Sequence, residues 1–411
     1  MNILCLCQVF ETGDGAGSER HFYFSKYAVS KGHQVTVITS NVDYKNARAK
    51  FTGQKGTVSR TIAGVDILYV YSYATFRGSF FKRFYYYLTY FFFSIVQSFK
   101  LQKPDIVYAV STPLTVGLLG YIISRLRGVP FIFEVTDVWP DAAVACGVVK
   151  SNTLIKLAGM LEMFCYKKAA HIIGLTQGIC DNIIAKGINR NKVSLLTNGV
   201  DFTLFNSSVN NSTISEVRAK FGFGSKFIAM YMGAHGAYNA LETIVEAAVF
   251  LKGDFRFLFV FIGDGDAKPT LQRLVTTNGL NNVMFLQPIP RSESASLLSS
   301  ADAFLLPNRK GAFFTGNLPN KLFDFLASGR PVIVAGAGET PELVLAAKCG
   351  IICAAEDSKA MAEALINLSM IPVDHRISMG ERGRDYVLKH YDRKHISDQF
   401  LTILNDTVSH K

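Results

Sequence analysis

Short unbroken apolar runs alternate along this chain with longer stretches in which apolar residues recur every third or fourth position. The runs, closed by Gly, Pro, Ser or Asn, predict buried parallel strands, and the spaced stretches predict helices. Residues 2–9, 34–39, 65–71, 104–110, 130–135, 171–175 and 193–196 are the strand-like runs of the first half. Helical stretches at 19–31, 114–126, 154–170 and 176–186 lie between them. A polar Asn- and Ser-rich segment at 206–213 reads as a linker, and the same grammar then resumes. Strands are expected at 226–232, 257–262, 283–286, 303–306 and 332–335, and Leu241, Ile244, Val245 and Ala248 mark a helix by their spacing. Such alternation predicts parallel sheets with helices on both faces. The chain therefore reads as two α/β domains, 1–203 and 204–388, with a final helical segment at 389–411.

In open α/β sheets ligands sit beyond the carboxyl ends of the strands, so polar residues there are the candidates for chemistry. The densest set follows the run at 303–306. A loop with Arg309, Lys310 and two glycines leads to Asn317, an N-cap candidate, and Pro319, suited to a first turn. The next helix has an apolar face of Leu322, Phe323 and Leu326, and Gly329 and Pro331 stop it. Asp324 lies in its body, with Asn320 and Lys321 four and three residues earlier. A carboxylate beside an apolar face is costly unless paired or bound. Asp324 is thus either an acid paired with Lys321 or an acceptor for two vicinal hydroxyls.

Glycine-rich loops follow the runs at 2–9 and 226–232. The first holds Gly13, Gly15 and Gly17; the second holds Gly233 and Gly236 around His235. Bare backbone of this kind lets N–H groups approach a ligand at a helix start. The first loop is no dinucleotide fingerprint, because Ser18 stands where the third glycine belongs. Asp264-Gly265-Asp266 has metal-binding composition but falls on a glycine turn, and the turn is the preferred reading.

Composition narrows the class. The chain has 411 residues, 49% hydrophobic, a formal net charge of +11 and a pI near 9.2. No dense Lys/Arg block or nucleic-acid motif accompanies the positive balance, so anionic substrates or an anionic membrane surface are expected rather than nucleic acid. The seven cysteines form no C-x-x-C pair, which predicts reduced cytosolic thiols and no zinc site. The first residues enter a strand at once, unlike a signal peptide. No apolar run reaches the ~18 residues a spanning helix needs.

The stretch LPNKLFDFLASGRPV resembles the nucleotide-sugar motif of retaining glycosyltransferases of family 4, in the GT-B class, and is most similar to a bacterial N-acetylfucosaminyltransferase (WbuB-like) group. Asp324, Ala327, Gly329, Pro331 and Val332 fall on that motif. The sequence departs from it in having Asp324 in place of Glu and Gly316 in place of the first motif acid. It also lacks the Arg or Lys pair that usually follows the glycine turn at 233–236. The resemblance extends to residues 134–141, where EVTDVWPD matches the subgroup's loop facing sugar and acceptor, and to the TNGVD turn at 197–201.

The resemblance implies two doubly wound Rossmann-like domains facing a cleft. It implies transfer of a sugar, N-acetylated, from a UDP-sugar to a polyprenyl-diphosphate-linked glycan in surface polysaccharide synthesis, with retention and with no bound metal or resident cofactor. Gly15, Gly17, Gly233, His235, Gly316, Asn317, Leu318, Asn320, Lys321 and Asp324 would face the donor. Arg309, Lys310 or Lys321, helped by the N-terminus of the helix after Pro319, would stand in for the missing diphosphate cations. Asp137 would orient or deprotonate the acceptor hydroxyl, and Glu134 and Trp139 would contact the acceptor. A nucleotide-sugar epimerase of the same fold and a catalytically silent scaffold of a glycan assembly complex stay open as alternatives.

One segment fits none of these roles. Residues 77–93 pack ten Phe and Tyr side chains behind Arg77, Lys82 and Arg83. Aromatics suit the headgroup boundary and the cations suit anionic lipid. The alternative is a helix buried against the sheet. The membrane reading places the protein in the cytoplasm, peripheral on the inner face of the plasma membrane.

Overall fold

The computed structural model describes residues 1–13, 20–43, 47–51, 56–75, 80–145, 149, 151–205, 211–311 and 315–409, with the side chains of Phe80 and Asn211 outside the description. These residues form two compact units. The first takes in the chain up to Thr197 and again from Lys394; the second is Asn198–Arg393.

The strands of the first unit are β1 (Asn2–Leu6), β2 (Gln34–Ser40), β3 (Val42–Asp43), β4 (Arg48–Ala49), β5 (Val58–Ile62), β6 (Val65–Val70), β7 (Ile106–Val110), β8 (Phe131–Val135), β9 (His171–Gly174) and β10 (Val193–Leu195). Eight of them form one sheet in the order β10-β9-β8-β7-β1-β2-β6-β5. All neighbours are parallel except β5, which pairs antiparallel with β6. β3 and β4 make a separate antiparallel pair. The order reverses between β1 and β7. The second unit adds β11 (Phe227–Met232), β12 (Phe257–Ile262), β13 (Val283–Leu286), β14 (Ala303–Pro307), β15 (Val332–Ala335) and β16 (Gly350–Cys353), all parallel in the order β13-β12-β11-β14-β15-β16. Its order reverses between β11 and β14.

Both sheets are covered on two faces, which is why their strands are apolar throughout. Leu4, Leu6, Val107, Ala109, Phe131 and Phe133 face one core cluster of the first unit. In the second unit Met230, Val260, Phe304 and Leu306 face one cluster, and Tyr231, Phe259, Phe261 and Leu305 face the other. Each such side chain withdrawn from water contributes ~1.5–3 kcal/mol.

The boundary falls at Thr197 and Asn198, a few residues before the expected 203. The cause is local. Arg20 donates to the carbonyls of Leu196 and Thr197, which fastens them to the first unit. Beyond them Val200 donates to the Tyr391 carbonyl, and Phe202 and Phe205 join the second unit's core. The expected segment 389–411 is likewise divided. The helix Val373–His390 belongs to the second unit. The helix Arg393–Ser409 lies in the first from Lys394 on, where Phe400 stacks on Phe24 at 4.7 Å and Tyr27 donates to Asp398 at 2.5 Å.

Candidate functional site

At the reversal point of the second sheet, the chain leaves the neighbouring strands β11 and β14 toward opposite edges, and it is beyond the carboxyl ends of such strands that α/β sheets take ligands. β11 runs into Gly233, whose φ of +150° is open only to glycine. A Cβ there would stand 3.2 Å from Lys321 Cε and 3.4 Å from Nζ, so the lysine lies directly on the bare turn. Lys321 is on the first turn of the helix Asn320–Ala327, which begins after Pro319, and not after Asn317 as its capping chemistry predicts. Its Nζ donates to the Tyr231 hydroxyl at 2.6 Å and to Asn239 Oδ1 at 3.0 Å. Tyr231 and Asn239 Nδ2 both donate onward to the Ala234 carbonyl, at 2.8 and 2.9 Å. Loss of hydration pulls the Lys321 ammonium down to about 7.

His235 is fully buried behind this turn. Its backbone is gripped by the loop after β12: His235 N donates to the Asp264 carbonyl at 2.8 Å, and a Cβ on Gly265 would stand 2.6 Å from the His235 oxygen. Asp264-Gly265-Asp266 is thus a turn that braces His235. Neither ring nitrogen has a hydrogen-bond partner. Burial first, then the nearby cations Lys268 and Lys321, hold the imidazole down to about 4, so it is neutral at physiological pH.

The other expected donor residues divide. Arg309 is committed elsewhere: its guanidinium donates to the Ala237 carbonyl at 2.8 Å, to Glu356 at 3.0 Å and to Glu242 at 3.1 and 3.2 Å. Two carboxylates already neutralise its charge, which corrects its expected role opposite a diphosphate. Lys310 is exposed. Asn317 is exposed ahead of the helix and Asn320 at its first position, Gly316 is partly exposed, and the Leu318 side chain is buried in the core. Asp324 does not pair with Lys321. Arg291 holds it in a two-pronged ion pair, at 2.6 and 2.7 Å, from the start of the helix Arg291–Ser299. Gly15, Gly17 and Arg77 lie outside the described residues.

In the first unit the expectation for Glu134 is overturned. It is fully buried, with Oε1 accepting from Arg20 Nε at 3.2 Å and bonded to His21 Nε2 at 2.9 Å, while the Tyr108 hydroxyl donates to Oε2. No acceptor reaches it, because on β8 it points inward with the sheet's own layer. Burial works against its charge, but Arg20 and His21 outweigh it and hold the carboxyl down to about 2. Burial likewise pulls on His21, and Glu134 raises it to about 9. The four groups form a closed ionic knot at the centre of the unit.

Asp137 and Trp139 follow β8. Asp137 is open to solvent yet surrounded by enough protein that its carboxyl is pushed up. Thr112, at the end of β7, donates to it at 3.4 Å, and the Thr112 and Thr136 hydroxyls stand 3.2 Å apart. Thr112 has φ +85°, a strained conformation for a β-branched residue that concentrates at functional positions. Trp139 is partly buried and packs on the core. Sequence reasoning misses Arg291, Tyr231, Asn239 and Thr112. The positive φ of Thr112 has no local signal, since a following proline favours extended backbone, and the other three are placed by long-range packing.

Comparison with known proteins fixes the class. The fold is that of GT-B glycosyltransferases. Anabaena Alr3699/HepE, solved in complex with UDP-glucose, matches 99% of this chain and 100% of its own at 16% identity and a TM-score of 0.75. Sucrose-phosphate synthase from Thermosynechococcus elongatus matches the full length of both chains at 15% identity and a TM-score of 0.79. Residues 16–204 match the family model described as Glycosyltransferase Family 4, and residues 226–370 match the model described as Glycosyl transferases group 1. One such match lies in each half of the chain, and together they support a glycosyltransferase of family 4. Among its relatives is an Escherichia coli K12 protein named for colanic acid biosynthesis as a glycosyl transferase, WcaI, 23% identical over 73% of each chain. Another is the Escherichia coli UDP-Gal:alpha-D-GlcNAc-diphosphoundecaprenol alpha-1,3-galactosyltransferase, 24% identical over 67% of this chain and 69% of the relative.

Proposed function

We propose that this glycosyltransferase moves an N-acetylated sugar from a UDP-sugar to a polyprenyl-diphosphate-linked glycan, with retention at the anomeric carbon, in bacterial surface polysaccharide synthesis. The observation that carries the donor half lies at the second sheet's reversal point, where a bare glycine turn meets Lys321 at the start of a helix. Asp324 completes it. A carboxylate offers about four acceptor positions, and Arg291 takes two, leaving two for the ribose hydroxyls. In the reaction the bond from the anomeric carbon to the diphosphate breaks, the leaving UDP keeps its electron pair, and the acceptor oxygen bonds to the carbon as its hydroxyl loses a proton. Asp137, whose carboxyl is pushed up by burial, is the group that orients that hydroxyl. Printed substrates of the relatives, a UDP-sugar and a diphosphoundecaprenol acceptor, agree with this pairing.

Membrane attachment belongs to the same reading. Among the described residues no helix is long and apolar enough to cross a membrane. The helix Phe80–Ser98 buries Tyr86, Tyr90 and Ser94, and exposes Phe81, Phe84, Tyr85, Leu88, Phe92 and Val96 beside Lys82 and Arg83. An exposed apolar stripe flanked by cations and free of acids suits an anionic bilayer surface. This would hold the enzyme at the inner face of the plasma membrane, where a lipid-linked acceptor lies.

A silent scaffold is the second reading, favoured by Gly316 and by the committed Arg309. Incubation with a panel of nucleotide sugars, with and without a bacterial lipid extract, separates the possibilities. Labelled sugar entering the lipid fraction supports transfer. Isomerised nucleotide sugar without extract supports an epimerase, and no turnover with any donor supports the scaffold.

A further inference from the structure

We propose that Lys321 is the charge this chain sets against the donor diphosphate, and that nucleotide binding there takes up one proton from solution. The proposal rests on the donor-site reading above and adds to it the proton.

The geometry singles out the lysine. Its amine has three positions for protons or a lone pair besides its carbon. Two are fixed as donors, to Tyr231 and Asn239. Both acceptors are locked in that role, because their own protons go to the Ala234 carbonyl. The third position has no hydrogen-bond partner among the described residues; the Tyr231 ring centroid lies 4.5 Å from Nζ, and no carboxylate there lies within ion-pair distance. A partly buried ammonium without a counter-ion is a costly arrangement, and such a site calls for an anion. A neutral amine satisfies the empty site, with its lone pair in the third position. An ammonium satisfies the occupied one, with its third N–H on a phosphate oxygen.

A second observation points to a ligand beyond the same strand ends. The two strands flanking the reversal point both lead to buried polar groups without partners: the His235 ring nitrogens after β11, and Asn308 Nδ2 directly after β14. The groups around Lys321 that bear charge or titrate are few. Tyr231 is held neutral by burial, His235 is neutral, and Lys268 is turned to the Gly263 carbonyl at 3.0 Å with Asp264 beyond it at 3.9 Å. Arg309 pairs with both Glu242 and Glu356 behind Ala237, which leaves no positive charge there to meet an anion. Lys321 is therefore the group whose protonation an incoming diphosphate changes most.

Isothermal titration of the whole protein with UDP at pH 8, in three buffers of different ionisation enthalpy, reads the proton directly. UDP is fully ionised there and contributes none. The expected result is an uptake of close to one proton per UDP, with a Kd that rises several-fold from pH 7.5 to 8.5. Lys321→Met should abolish the uptake and weaken binding about tenfold or more. His235→Asn should leave the uptake in place. UDP binding by the wild type with no buffer dependence overturns the inference and leaves the donor site standing; so does uptake that persists in Lys321→Met or vanishes in His235→Asn. Absence of UDP binding at any pH overturns both.

Discussion

At the scale of single residues, carboxylates decide the account, and the sequence alone separates them poorly. Asp324 and Glu134 both sit in apolar surroundings, and each finds an arginine that no local spacing reveals: Arg291 in one case and Arg20 in the other. The difference lies in what remains exposed. Glu134 has every oxygen engaged and no access, whereas Asp324 keeps part of its surface and two acceptor positions. Asp324→Ala is expected to weaken UDP binding about tenfold or more, since bonds to a charged group contribute ~1.5–3 kcal/mol each. Calorimetry checks it, and Arg291→Met separates the ribose contact from the ion pair. If UDP affinity in Asp324→Ala equals that of wild type, the acid is structural only. Asp137→Asn is expected to lower kcat strongly while leaving UDP affinity within about twofold, because it lies in the first unit and not at the donor site. Normal turnover in that variant would remove Asp137 from the reaction.

At the scale of elements, most helices and strands are legible because buried parallel strands must be apolar on both faces and the helices between them on one. The misses have physical causes. β5 has a mixed pattern because it is an antiparallel edge strand with an exposed centre. The segment expected to be a linker leads straight into the helix Asn211–Lys220, whose polar surface hides its period. The aromatic helix Phe80–Ser98 satisfies both readings that its sequence allows. It packs one side on the sheet through Tyr90 and on Val42 and Ala47 through Tyr86, and leaves the other bare. Liposome co-sedimentation tests the bare side. Wild type is expected to pellet with anionic vesicles at low salt and to be released by high salt, and Lys82→Glu with Arg83→Glu should keep it in the supernatant. Wild type that stays in the supernatant at low salt would refute membrane docking.

At the scale of the molecule, alternation of strand and helix announces two doubly wound sheets, but only the structure reveals where each reverses, because strand order depends on pairing between distant segments. The same holds for the knot of Arg20, His21, Tyr108 and Glu134 in the first sheet, whose pH response is specific. His21 is raised from 6.5 to about 9, so its contribution is complete below pH 6.5 and is lost as pH rises through about 9. Glu134 is lowered from 4.5 to about 2, so its contribution is complete above pH 4.5 and is lost as pH falls through about 2. Calorimetric melting should show this contribution whole between pH 4.5 and 6.5, and Glu134→Gln should lower Tm most in that window. An equal loss at pH 9.5 would contradict the ionic account of the knot. The central claim is that a nucleotide diphosphate sits beyond the carboxyl ends of β11 and β14. Hydrogen–deuterium exchange with saturating UDP tests it most directly. The account predicts slowed exchange concentrated in residues 232–240, 308–311 and 317–325; bound UDP that protects other segments and leaves these three unchanged would contradict it.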